Sequence, residues 1–88
     1  MKVTFKLYAM LADHLPSQYE GRARDGNALE LDVSEGTTVR QLVEQFRLPP
    51  RLVHLVLIDG RFIPKQERDA RALVEGETLA IWPPVAGG

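Results

Sequence analysis

Thr38-Val39-Arg40-Gln41-Leu42-Val43-Glu44-Gln45-Phe46-Arg47 is the stretch on which the fold turns. Thr38 is a good N-cap. Gln41, three residues on, completes a capping box that gives two orphan amides their partners. Val39, Leu42, Val43 and Phe46 fall at i, i+3, i+4 and i+7, one apolar stripe facing one core. The helix is expected to end near Arg47 or Leu48, because Pro49-Pro50 cannot continue it. Residues 10–15 have room for a single helical turn, closed by Pro16.

Outward from this helix the pattern changes to period two. Upstream, residues 2–9 alternate, with Val3, Phe5, Leu7 and Ala9 on one side and Lys2, Thr4, Lys6 and Tyr8 on the other. Residues 28–33 alternate again through Leu29, Leu31 and Val33. Between them, residues 17–27 are polar, contain Gly21 and Gly26, and read as a mobile loop joining two antiparallel strands. Downstream, residues 54–58 form a short apolar strand. Asp59-Gly60 signals a hairpin turn, and Arg61-Phe62-Ile63 returns. Residues 64–71 read as polar loop, Glu75-Gly76-Glu77 as a turn, and residues 78–82 as the last strand. Pro83-Pro84 then ends the hydrogen bonding and holds the tail extended.

One main helix across a mixed sheet of four or five strands is a two-layer α+β fold. The first and last strands can pair in parallel at its centre, with the helix inside the crossover. This is the β-grasp, or ubiquitin-like, arrangement. The expected organisation is a β-grasp domain over residues 1–82 and an extended tail over residues 83–88.

A single helix covers one side of such a sheet. Residues 54–58 and 79–82 are apolar on both sides, so an apolar set must face outward. With Leu55, Leu57, Leu79 and Ile81 toward the helix, Val56, Ile58, Ala80 and Trp82 face outward as a partner surface; reversing the phase leaves a different apolar set there. The alternative is that loop 17–27 folds over this face.

Composition excludes several classes. Eighty-eight residues, 44% of them hydrophobic, suffice for one small core. A net charge of −1, with acidic and basic residues interspersed, gives no footprint for nucleic acid or an anionic membrane. No apolar run reaches the roughly 20 residues of a membrane helix, and the start lacks the apolar core of a signal peptide. A cytoplasmic location is expected. With no cysteine there is no disulfide, cysteine-bound metal or thiol nucleophile. His14 and His54 stand far apart and read as structural or surface residues; Arg68, Asp69 and Arg71 read as solvated surface. No metal site, nucleophile–base set or phosphate-cradling loop is legible, so no catalytic site of its own is expected.

The tail is the remaining candidate. Trp82-Pro83-Pro84-Val85-Ala86 leads into Gly87-Gly88, read as the C-terminal end. Two glycines have nothing to pack and lose much backbone entropy when ordered. They do suit delivery of a carboxylate down a narrow channel in another protein. A carboxylate is a poor electrophile, but joined to AMP it gains a good leaving group that a sulfur nucleophile can displace. Pro83-Pro84 limits the conformations to be frozen on docking. Val85 can fill a small pocket, and Ala86, Gly87 and Gly88 fit where larger side chains would clash.

The segment Glu75-Gly76-Glu77-Thr78-Leu79-Ala80-Ile81-Trp82-Pro83-Pro84-Val85-Ala86-Gly87-Gly88 resembles the end of the MoaD/ThiS-type sulfur carriers, most of all the molybdopterin synthase small-subunit branch. The opening Lys2-Val3-Thr4-Phe5-Lys6-Leu7-Tyr8-Ala9 and the helix entry Gly36-Thr37-Thr38-Val39 are similar too. The resemblance implies adenylation of Gly88 by an ATP-using, ubiquitin-activating-like adenylyltransferase, then a Gly88 thiocarboxylate. In the molybdopterin branch it implies that the tail enters a synthase large subunit and gives sulfur to a pterin precursor of the molybdenum cofactor. The chain is then the sulfur-donating small subunit of that complex. No cofactor is held permanently; ATP belongs to the activating partner. Gly88 carries the reacting group and Gly87 is its slender neighbour. Trp82, Pro83, Pro84, Val85 and Ala86 dock, together with the face bearing Val56, Ile58 and Ala80. Asp59-Gly60 stands where many relatives have Asn-Gly, with equivalent turn chemistry, and loop 16–27 is longer than in compact members. The sulfur's destination therefore stays open between molybdopterin, the thiamine thiazole and another metabolite. A protein modifier joined through Gly88 to lysines, and a binding module with an incidental tail, are the readings from other classes.

Overall fold

The computed structural model describes residues 1–84. Val85, Ala86, Gly87 and Gly88, on which much of the tail reading falls, lie outside the described residues. Seven strands and two α-helices follow in order, besides two 3-10 helices at Ala9–His14 and Pro50–Leu52: β1 (Lys2–Leu7), β2 (Gln18–Tyr19), β3 (Arg22–Ala23), β4 (Ala28–Asp32), α1 (Val39–Gln45), β5 (Leu55–Ile58), β6 (Arg61–Phe62), α2 (Lys65–Arg68) and β7 (Thr78–Trp82). The main sheet has five strands in the order β4-β1-β7-β5-β6. β1 and β7 pair in parallel at its centre, and the other pairs are antiparallel. This is the expected β-grasp. No helix among the described residues is long and apolar enough to cross a membrane.

The capping box at the start of α1 forms as the sequence requires. Thr38 Oγ1 accepts from the Gln41 amide at 3.2 Å, and Gln41 Oε1 accepts from the Thr38 amide at 2.8 Å. A cap of this kind is worth about 1 kcal/mol. At the other end Arg47 takes φ 56°, and the Arg47 and Leu48 amides donate to Glu44 and Val43 carbonyls. That is a Schellman stop, formed without glycine ahead of the prolines. Buried Leu48 supplies the apolar contact that offsets the left-handed residue.

Val39 and Leu42 of α1 are wholly buried against Phe5, Leu7, Leu79 and Ile81 of the central strands. Phe46 packs on Phe5 with ring centroids 5.1 Å apart. Each such side chain taken from water contributes about 1.5–3 kcal/mol, so this one layer holds the domain together.

Of three connections, the first keeps its expected helical turn, one residue earlier and somewhat longer, and the other two differ from expectation. Residues 9–14 form a 3-10 helix, whose end is held by Arg24: its guanidinium donates to the carbonyls of Ala12 at 2.8 Å and Leu15 at 3.0 Å. The expected loop 17–27 contains the β2–β3 hairpin, turned through Glu20 and Gly21 at φ 49° and 80°. This positive-φ pair matches the strands' twist. The hairpin straddles the β4 edge. On the helix side Tyr19 lies 5.3 Å from Phe46 and its hydroxyl accepts from Gln45 at 2.6 Å. On the other side Arg22 meets Asp32 at 2.8 Å and Glu30 at 3.5 Å. Finally, α2 stands within the expected loop 64–71.

The turn before β7 is closed by an ion pair. Glu77, its side chain 15% exposed, accepts from Arg71 at 2.8 Å and from the Val74 amide at 2.7 Å. The Arg71 hydrogen bond, above all, holds the Glu77 carboxyl below its ordinary range, although burial opposes this. A lowered folded-state value stabilises the fold fully above the ordinary carboxylate range, and that contribution vanishes as pH falls through the lowered value. The difference in urea midpoint between wild type and Glu77→Gln should therefore be largest near neutrality and shrink below about pH 4. A difference constant through the acid range would mean the ion pair contributes nothing.

Candidate functional site

The strand register decides which side chains face away from the helix. β5 pairs with β7 as Leu55–Trp82, Val56–Ile81, Leu57–Ala80 and Ile58–Leu79. Directly opposed residues share a face, so even-numbered positions of β5 go with odd-numbered positions of β7. The expected phase of β5 is thus corrected. Val56 and Ile58, placed outward by the sequence reading, are 0% and 2% exposed in the core under α1. Leu55 and Leu57 face outward in their stead, on the same side as Ala80 and Trp82; Ala80, expected as an open surface residue, is only 8% exposed between Lys6 and Leu57. Phe62, opposite Leu57 on β6, extends the patch and is 57% exposed. Since β2 and β3 sit at the β4 edge, they do not cover it.

The tail root sits at the end of this face. Trp82 is half-buried, with its ring stacked on Tyr8 at a centroid distance of 3.9 Å and an interplanar angle of 9°. On the β1 side the Tyr8 amide donates to the Ile81 carbonyl at 3.1 Å; on the β5 side the His54 amide donates to the Trp82 carbonyl at 3.1 Å. Pro83 is buried and Pro84 exposed. The Asp59-Gly60 turn, at φ 50° and 81°, adds a hold at the other end of β7: Asp59 Oδ1 accepts from the Thr78 amide at 2.8 Å.

Arg68, expected as solvated surface, is instead the principal cross-link near this root. Its guanidinium donates to the carbonyls of Ile63 at 3.3 Å, Val53 at 3.2 Å and His54 at 2.8 Å. Partial burial lowers its pKa through desolvation, and it stays charged at neutral pH. Leu55, Leu57, Phe62, Tyr8 and Arg68 were all missed as site residues. Counting register back from the Asp59-Gly60 turn could have found the first three; the others depend on contacts distant in sequence. Among the described residues no three His, Cys, Asp or Glu converge as a metal site requires. The arrangement offers an apolar docking face and a stiffly held exit for the chain.

The family model of the ThiS family matches residues 18–88. Among solved structures, the crystal structure of SAMP1 from Haloferax volcanii is similar with a TM-score of 0.64 and 25% identity, covering 100% of both chains. A protein described as molybdopterin converting factor, subunit 1, from Pyrococcus furiosus gives a TM-score of 0.62 at 19% identity, over 96% of this chain and 98% of that one. No curated protein matches. Fold, open face and family match together define a ubiquitin-like protein of the ThiS/MoaD type, a sulfur carrier or small modifier. The chain belongs to the ThiS family.

Proposed function

We propose that this chain is a cytoplasmic sulfur carrier whose Gly88 carboxylate is loaded by partner enzymes and spent in making molybdopterin. The carboxylate attacks the α-phosphorus of ATP on a ubiquitin-activating-like adenylyltransferase, and pyrophosphate leaves. Sulfide then adds to the acyl carbon and expels AMP, leaving a thiocarboxylate with no change in oxidation state. The outward face of Leu55, Leu57, Phe62 and Ala80 docks, and Trp82 to Gly87 threads the reacting end into the partner's site. Binding at that face, remote from the reacting carbon, brings the carbon into place.

The observation that carries the reading is the family match running through Gly88 in a chain without cysteine. With no thiol available, sulfur carried covalently belongs on the terminal carboxyl. Pro83-Pro84 supports the molybdopterin branch, whose synthase large subunit would receive the tail. The full chain, incubated with ATP, sulfide and its cognate adenylyltransferase, should gain the oxygen-to-sulfur mass increment. The loaded protein should then convert a pterin precursor with the large subunit. No mass gain with an enzyme shown to adenylate another carrier would refute the sulfur reading; loading followed by transfer only to a thiazole synthase would redirect it. A lysine amine resolving the same adenylate would make the chain a modifier, detected as branched Gly-Gly-lysine peptides in cell digests.

A further inference from the structure

We infer that Tyr8, stacked on Trp82 from the β1 side, and Arg68, acting through His54 on the β5 side, are positioning residues that hold Trp82 and so set the direction in which the chain leaves the fold. The inference rests on the carrier reading, but part of its test does not. Trp82 is the last residue of β7, and Pro83 and Pro84 have no amide hydrogen to add to the ladder. Whatever holds Trp82 therefore holds the root of the tail.

From the β1 side, the Tyr8 ring lies flat on the indole at 3.9 Å, and the Tyr8 amide ties the preceding carbonyl, that of Ile81. From the β5 side, the Trp82 carbonyl is held by the His54 amide. His54 lies just before β5, where a strand end would ordinarily fray. Arg68 prevents this by taking the Val53 and His54 carbonyls on two nitrogens of one planar fork while its Nε holds Ile63. The adjacent carbonyls of Val53 and His54 and that of Ile63, just past β6, share one donor from α2, so the fork ties the start of β5 to the segment that follows β6. A freely pivoting root would spread the reacting end over many positions, and misplacement by about 1 Å can cost a hundredfold in rate.

The experiment compares full-length wild type with Tyr8→Ala, Tyr8→Phe and Arg68→Ala. Trp82 is the only tryptophan, so its fluorescence anisotropy reports the root directly. Tyr8→Ala should add a fast, large-amplitude depolarisation that Tyr8→Phe does not. Arg68→Ala should speed exchange of the His54 amide by about tenfold or more while the Phe5 amide stays protected, a local rather than global opening. In loading assays both alanine variants should lose between about tenfold and a hundredfold in kcat with KM little changed, and Tyr8→Phe should restore the rate. Unchanged anisotropy and His54 exchange in the alanine variants would overturn the clamp, as would a raised KM at unchanged kcat. A wild type that never loads would sink the carrier reading instead, leaving the clamp to be judged by anisotropy and exchange.

Discussion

A chain ending at Gly87 will take up no measurable sulfur, although it will melt like the full-length protein. Removing Gly88 leaves a carboxylate, and a glycine still bears it, so the chemistry of the group is unaltered. Only its reach changes. One extended residue is about 3.3–3.6 Å long, while a productive approach needs reacting atoms about 3–3.5 Å apart. The shortfall is as long as that whole approach distance and several times the error of about 1 Å that such a step tolerates poorly. Loading should fall by more than the hundredfold or so associated with a 1 Å error. Stability should be unaffected, because a terminal glycine has no side chain to pack and costs backbone entropy when ordered. Intact mass after incubation with ATP, sulfide and adenylyltransferase reads the first effect, and thermal unfolding the second. A chain truncated after Pro84 should still compete with wild type for the activating enzyme, since the sheet face remains. Normal loading of the Gly87-terminated chain would move the reactive group elsewhere and end the carrier proposal.

Elements written in local chemistry were legible. The Thr38–Gln41 capping box, the Asp59-Gly60 turn and the alternation of β1 through Leu7 each involve neighbours in sequence and form as read, whereas Ala9, expected to continue that strand, is exposed at φ 52° at the start of the 3-10 helix. The sheet order followed from them, because one main helix between two strand pairs leaves few ways to cover a core. The phase of β5 was not legible. Leu55, Val56, Leu57 and Ile58 are all apolar, so alternation carries no information about which pair is inside. Pairing with β7 decides it, and that register is set by contacts such as Asp59 with Thr78 and His54 with Trp82. The β2–β3 hairpin escaped for a related reason. Strands of two residues are too short to show a period, and theirs are held by Tyr19 against Phe46 and Arg22 against Asp32. Arg68 looked like one more surface charge because its acceptors are backbone carbonyls, invisible in any side-chain pattern.

These failures share a cause with consequences for the site. Polar side chains here work mainly by finishing backbone hydrogen bonds at junctions: Arg24 at the end of the 3-10 helix, Arg68 before β5, Glu77 and Asp59 at the two turns beside β7. A backbone group left unpaired out of water costs about 1–3 kcal/mol. The last three of these side chains act at β7 or at its β5 partner, and the functional tail continues from β7. The small domain thus concentrates its specific polar contacts around the strand that must present the tail, and leaves the apolar layer to supply bulk stability.

The corrected phase of β5 gives the sharpest contrast available with two adjacent substitutions. Val56→Asp should unfold the protein, whereas Leu57→Asp should leave it folded and unable to dock. Val56 is wholly buried among core side chains. A carboxylate there has no partner in the core and must either stay charged out of water or take up a proton. Adding the lost apolar packing, the cost should exceed about 4 kcal/mol. Small domains have only about 5–15 kcal/mol in total, so circular dichroism should show a largely unfolded or easily melted chain. Leu57 is half-buried on the outward face between Ala80 and Phe62, where a carboxylate reaches water at little expense. Its urea midpoint should shift modestly. Docking is another matter, because burying that charge against an apolar partner surface leaves it unpaired. A loss of about 2 kcal/mol or more, roughly thirtyfold in Kd for the adenylyltransferase, is expected by titration calorimetry. The phase first read from the sequence predicts the opposite pair of outcomes. A folded, docking-deficient Val56→Asp beside an unfolded Leu57→Asp would restore that reading, and a Leu57→Asp that docks normally would take the sheet face out of the interface altogether.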